Sequence, residues 1–238
     1  MKEYYSDTWT EARKQEFVAT GASNAFLRQV YVVMSIGLGL TGLTAWFISG
    51  KLMAGEWLWL QSWMLPITFA PLIFVLVLQF GLDRMSASTA SVVFGAFAIV
   101  MGVGLAPIVL IYTGASIAKT FLITSGTFLA MTVVGLTTNI DLSKFRSILV
   151  MALIGLIIAM VVNIFLNSGP LDFIISIIGV GLFCALTAYD TQRLLQIGSQ
   201  ADLGLESTQK MVVMGALALY LDFINLFLFL LRFFGSRD

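Results

Sequence analysis

Histidine is absent from the sequence and Cys184 is its only cysteine. These gaps remove imidazole proton relays, His-based triads, zinc fingers and disulfide scaffolds, so whatever chemistry the chain performs must use carboxylates. Charge is scarce as well. Thirteen Lys and Arg balance 13 Asp and Glu, together 11% of 238 residues, where a soluble domain carries about 25%. No basic stripe is present, so nucleic acid is excluded as a partner. Apolar residues fill the space: 59% of the chain is hydrophobic, against about 45–50% in a soluble domain.

The apolar residues fall into runs long enough to cross a bilayer, which takes about 20 residues per helix. Seven such runs lie near 26–49, 64–82, 88–112, 117–138, 147–166, 172–195 and 211–233. Backbone groups in lipid must be satisfied within each segment, so the runs are expected to be helices despite their Val and Ile content. The fold class is therefore an all-α integral membrane protein, a bundle of seven transmembrane helices in one domain spanning 25–234. Residues 1–24 are polar and mixed in charge, without the pattern of a cleaved signal peptide; they are expected to form a cytoplasmic tail, and residues 235–238 a short C-terminal one. Two connections stand out: 50–63, rich in Trp as an interfacial segment would be, and the polar stretch 196–210. Gly37, Gly39 and Gly42 in the first span and Gly95, Gly102 and Gly104 in the third are expected to let helices approach closely.

Lysine and arginine concentrate on the cytoplasmic side of membrane proteins. With the N-terminus inside, that side collects Lys2, Arg13, Lys14, Arg28, Arg84, Lys144, Arg146, Arg193 and Lys210, against Lys51, Lys119, Arg232 and Arg237 outside. Nine against four predicts a cytoplasmic N-terminus and an external C-terminus, opposite to hormone-type seven-helix receptors. Retinal proteins fail separately, because the last span between Met211 and Leu231 has no lysine for a Schiff base.

Ionisable residues inside the spans carry the functional hypothesis, since each costs at least a few kcal/mol in lipid. Asp222 lies mid-way along the seventh span, roughly 17 Å of helix from Met211. Asp190 lies in the sixth span toward its cytoplasmic end, and Arg84 closes the second span on the same side. Two carboxylates meeting in low dielectric do not both ionise cheaply and are expected to share a proton. Arg84 would compete for the ionised form with two parallel hydrogen bonds, making a pH-sensitive latch. An acidic cavity is also a stopping place for calcium, a hard cation that prefers oxygen ligands. Each residue has a plainer reading too: Asp190 as an interfacial helix end with Thr191, Gln192 and Arg193, Asp222 as a structural aspartate bonded to Asn225 or a neighbouring helix, Arg84 as a positive-inside anchor. Tyr189, Tyr220 and Asn225 are expected as packing and hydrogen-bond partners. Pro66, Pro71 and Pro107 bring kinks at most, and Cys184 and the methionines are read as filler.

The stretch ALALYLDFINLFLFLLRFF at Ala216–Phe234, together with AYDTQ at Ala188–Gln192, resembles the transmembrane Bax inhibitor motif family of bacterial type. The seven spans and the Gly104–Pro107 region fit as well, so the resemblance covers nearly the whole membrane domain. It implies a bundle with a central last helix, an aspartate pair at Asp190 and Asp222, an arginine engaging the first aspartate at Arg84, and a pH-sensitive calcium leak with no resident cofactor. It also implies a bacterial inner-membrane location. Calcium, protons and the lipid bilayer are the expected partners, with Asp190 and Asp222 the ligands a calcium ion would meet. A non-transporting role, binding other membrane proteins such as a quality-control protease, is the second reading. Two membrane aspartates on consecutive helices also describe presenilin-type proteases, which would use a shared proton to activate water. Their Gly-x-Gly-Asp motif is absent, since Leu219, Tyr220 and Leu221 precede Asp222, and no enzymatic activity is expected.

Overall fold

A computed structural model describes the backbone of residues 2–236 and the side chains from residue 21 on, except at 61 and 65. Lys2, Arg13, Lys14 and Arg237, counted above for orientation, have side chains outside the described residues. Seven helices follow one another: α1 (Lys2–Met53), α2 (Met64–Gly81), α3 (Ala87–Ile111), α4 (Gly114–Thr137), α5 (Arg146–Leu166), α6 (Gly169–Gly198) and α7 (Glu206–Phe234). No strand occurs among the described residues. Every run read as a span is a helix long and apolar enough to cross a membrane.

Local chemistry marks the helix starts. The hydroxyl of Ser86 accepts from the Thr89 amide at 3.1 Å before α3, and that of Thr113 accepts from the Ser116 amide at 3.1 Å before α4, each satisfying one of the amides a helix start leaves open. Helix α5 ends at Asn167 with φ 48°, the left-handed cap that Asn tolerates. The stretch 50–63 is half helical: α1 runs on to Met53, and Leu58–Trp63 forms a 3-10 turn. Its Leu60 packs against Ile48, Leu52 and Ala106, while Trp59 and Trp63 stay exposed at the position of an interfacial belt. The segment read as a polar tail is helical and continuous with the first span in α1.

Helix α7 occupies the centre. Of its most apolar eighteen-residue window 72% is buried, against 6% in α5. It packs on α1, α3, α4 and α6, whereas α5 leans on α6 and α2 on α3. The outer surface is inverted relative to a soluble protein, with Phe80, Ile164 and Phe165 more than 70% exposed; apolar area on this scale needs lipid against it.

Without a hydrophobic drive between helices in lipid, close packing and interhelical hydrogen bonds hold the bundle. A close approach joins α1 to α3 at Gly102, where a Cβ would stand 2.6 Å from the carbonyl oxygen of Thr41 and 2.7 Å from the Thr44 Cβ. Backbone cannot give as a side-chain tip can, so Gly102→Ala is expected to cost about 1–3 kcal/mol of stability. Thermal unfolding in detergent checks this, with Gly95→Ala, whose added methyl meets nothing within 4 Å, expected to behave as the parent.

Candidate functional site

The two aspartates read from the sequence meet. Asp222 sits near the middle of α7 and is 4% exposed; Asp190 lies on α6, partly buried, and their carboxyl groups hydrogen-bond to each other. A hydrogen bond between two carboxyls needs a proton between them, so at least one of the two is protonated in this geometry. The second Asp222 oxygen, Oδ2, has no hydrogen-bond partner among the described residues. Asp190 lines a cleft of about 380 Å³ at the end of the bundle where α2 and α6 finish and α7 begins. Val75 and Gln79 of α2, Arg193 of α6 and Met214 and Ala218 of α7 form its walls. The order inward is therefore cleft, Asp190, Asp222.

The helix-end reading of Asp190 does not hold. Helix α6 continues to Gly198, roughly 12 Å beyond Asp190, and Thr191 is fully buried. Because α6 and α7 both extend into the polar stretch 196–210, the connection between them is only residues 199–205.

The residues of Ala188–Gln192 each do a separate job. Ala188 and Thr191 lie against Gly135 of α4, where no side chain would fit. The hydroxyl of Tyr31 on α1 donates to Thr132 at 3.2 Å and lies 3.4 Å from Thr191, tying α1, α4 and α6 together. Gln192 clamps the α4–α5 turn, accepting from the Leu142 amide at 2.8 Å and donating to the Ile140 carbonyl at 2.9 Å. In the same turn, side-chain and backbone hydrogen bonds from Ser143 hold the exposed Asp141 carboxyl below its ordinary range. Tyr189 is half-buried beside Asp190 in the chain.

On α7, Tyr220 is fully buried. The Thr41 hydroxyl lies 2.9 Å from the Ala98 carbonyl and 3.0 Å from that of Gly37, and the Tyr220 oxygen is 2.6 Å from it. Thr41 donates to a carbonyl, so Tyr220 donates to Thr41. Phe94 and Phe97 stand edge-on to the Tyr220 ring at 5.8 and 5.2 Å, and Phe223 is wedged between Phe121 and Phe128, each at 5.5 Å. Tyr220 and Phe223 flank Asp222 in the sequence of α7, so these rings pack that stretch of the helix against α3 and α4. Asn225 does not serve Asp222; its amide donates back to the Leu221 carbonyl at 2.7 Å.

Arg84 is not brought to the pair. It follows α2 in the turn Leu82–Arg84, where its side chain is exposed, and it does not line the cleft. The cation acting on the Asp190 charge is Arg193. Its signal in the sequence is its spacing, since residues three apart share a helix face. No third carboxylate joins the pair among the described residues, so the two aspartates supply only part of the six to eight oxygens calcium prefers.

Known proteins now bear on this arrangement. The family model described as "Inhibitor of apoptosis-promoting Bax1" matches residues 23–238. The chain belongs to the Bax inhibitor-1 family. Among its relatives in that family, the Escherichia coli inner membrane protein YbhL is 42% identical over 214 residues, covering 89% of this chain and 92% of YbhL. An uncharacterized Borreliella burgdorferi protein is 42% identical over 232 residues, with 94% and 96% covered. The Rickettsia prowazekii protein RP147 is 40% identical over 236 residues, with 98% of both chains covered. Family and fold agree on a multi-pass bacterial membrane protein.

Proposed function

We propose that the chain is a pH-sensitive, calcium-permeable channel or leak pathway of a bacterial inner membrane, gated by Asp190 and Asp222. The observation that carries the proposal is the carboxyl pair at the inner end of a cleft, with one buried carboxylate oxygen left unbonded. A structural aspartate pair would be expected to satisfy all its oxygens within the protein. Under the N-in orientation favoured by the Lys and Arg count, the cleft opens to the cytoplasm. In the cleft, Arg193 of α6 and Gln79 of α2 stand with Asp190, and α3 carries no ionisable side chain. With one negative charge on the pair, Arg193 and the shared proton bind α6 to α7 and the aromatic packing around Asp222 stays shut. A second proton removes the charge that Arg193 holds, and the two helices are freed to part. Calcium then passes as a substrate, partly hydrated, with the carbonyl oxygens of the two neutral carboxyl groups among its ligands in transit.

The test is calcium flux into proteoliposomes from mildly acidic to mildly alkaline pH, the parent beside Asp222→Asn. Flux that rises on acidification in the parent and loses that response in the variant is the expected result. Correctly folded parent protein that passes no calcium at any pH would overturn the channel and favour the role of a binding partner for other membrane proteins.

A further inference from the structure

A second recess lies in the other half of the bundle, between α1 and α4. A groove of about 740 Å³ runs between residues 35–43 of α1 and 114–122 of α4. It leads inward to a hollow of about 280 Å³ floored by Phe223, Ile224 and Phe227 of α7. Gly39, Gly42 and Gly114 keep it open, since a Cβ at any of them would meet nothing within 4 Å. The lining is almost wholly carbon, and the hydroxyl of Thr41 is already bonded to Tyr220 and to backbone carbonyls.

Three observations specify an occupant. The groove lies wholly within membrane spans, so hydrocarbon and not water faces its mouth. Its lining on α1 extends from position 35 to position 46, roughly 16 Å of helix rise, which is one leaflet's share of a hydrocarbon core about 30 Å thick. Beside it on α4 stands Lys119, adjacent in sequence to the groove residue Ala118 and three before Leu122. Lys119 lies about 7.5 Å of helix from the start of α4, a depth from which a lysine reaches the interface. The other described cations at this end are paired, Lys51 with Glu56 at 2.7 Å and Arg232 with Asp172 at 3.2 Å. Lys119 is exposed and has no ion partner among the described residues.

We propose that this groove seats one acyl chain of an anionic glycerophospholipid from that leaflet, with the phosphate on Lys119. The end of the chain then rests on Phe223, the neighbour of Asp222, and beside the Tyr220–Thr41 hydrogen bond. The lipid site stands on its own observations and does not depend on calcium transport.

The test is native mass spectrometry of the full chain in detergent, titrated separately with phosphatidylglycerol and phosphatidylcholine. One phosphatidylglycerol is expected to stay bound at concentrations that leave phosphatidylcholine off. Lys119→Gln is expected to reduce that preference about fivefold. Gly42→Leu, whose Cβ would meet nothing within 4 Å, fills the groove and is expected to abolish retention of both lipids. Should Gly42→Leu fail to fold by thermal unfolding, Gly39→Leu plugs the same groove. The proposal is overturned if the parent shows no headgroup preference, or if a folded plugged variant keeps its lipid as the parent does.

Discussion

Asp190→Asn and Asp222→Asn are each expected to remove most of the acid-stimulated calcium flux, about tenfold, and the double variant to lose no more than the weaker single one. Contacting residues couple by about 0.5–3 kcal/mol, and 1.36 kcal/mol is a factor of ten in rate. The failure to add follows from the geometry. The two carboxyls hydrogen-bond to each other, so in the proposed gate the response belongs to the pair and not to either residue. Removing either carboxylate removes the shared-proton state, and removing the second has nothing further to take away.

Asparagine is the appropriate substitution because it keeps the shape and can still donate a hydrogen bond to the remaining aspartate. Asp222→Ala would instead leave a hole at a site 4% exposed and strand Asp190, confusing loss of gating with loss of packing. Thermal unfolding of the two asparagine variants is expected to match the parent closely. Additive losses, with the double variant down by the product of the two singles, would show that the aspartates act at separate steps along the pathway.

Much of the fold was legible because lipid leaves the chain few options. Seven apolar runs had to be seven helices, and they are. Span ends were less legible, since helices continue past the hydrocarbon: α6 persists to Gly198 through Thr191, Gln192 and Arg193, polar residues that look like an interface. Hydropathy also does not report burial in a membrane. Helix α5 is the most apolar of the spans and the least buried; the central place of α7 came from the resemblance and not from composition. Asp222 announced itself as a charge in an apolar run. Asp190 needed a partner to be distinguished from a helix end, and the choice between two arginines needed the register of α2 against α6, which no single sequence prints. Gly135 gave no signal, because only the placement of Ala188 and Thr191 shows why a side chain is excluded there.

The two arginines make the sharpest contrast. Arg193→Gln is expected to raise calcium flux near neutral pH and to move the acid response toward higher pH, while Arg84→Gln leaves both as in the parent. The sign follows from what the guanidinium does in the proposed gate: it attracts the negative charge on the pair and helps hold α6 against α7, so without it the state in which α6 and α7 part is reached sooner on acidification. Arg193 is exposed, so solvent screens it and its effect belongs to the range of about 0.2–1 kcal/mol for such pairs. That corresponds to a displacement of roughly half a pH unit, at 1.36 kcal/mol per unit. Calcium flux measured across the same pH series reads both variants. The reverse outcome, with Arg84→Gln opening the pathway and Arg193→Gln silent, would transfer the closing role to Arg84. It would require the turn Leu82–Arg84 to swing from its exposed position onto the cleft in the resting state, making α2, the wall that carries Val75 and Gln79, the moving part of the gate.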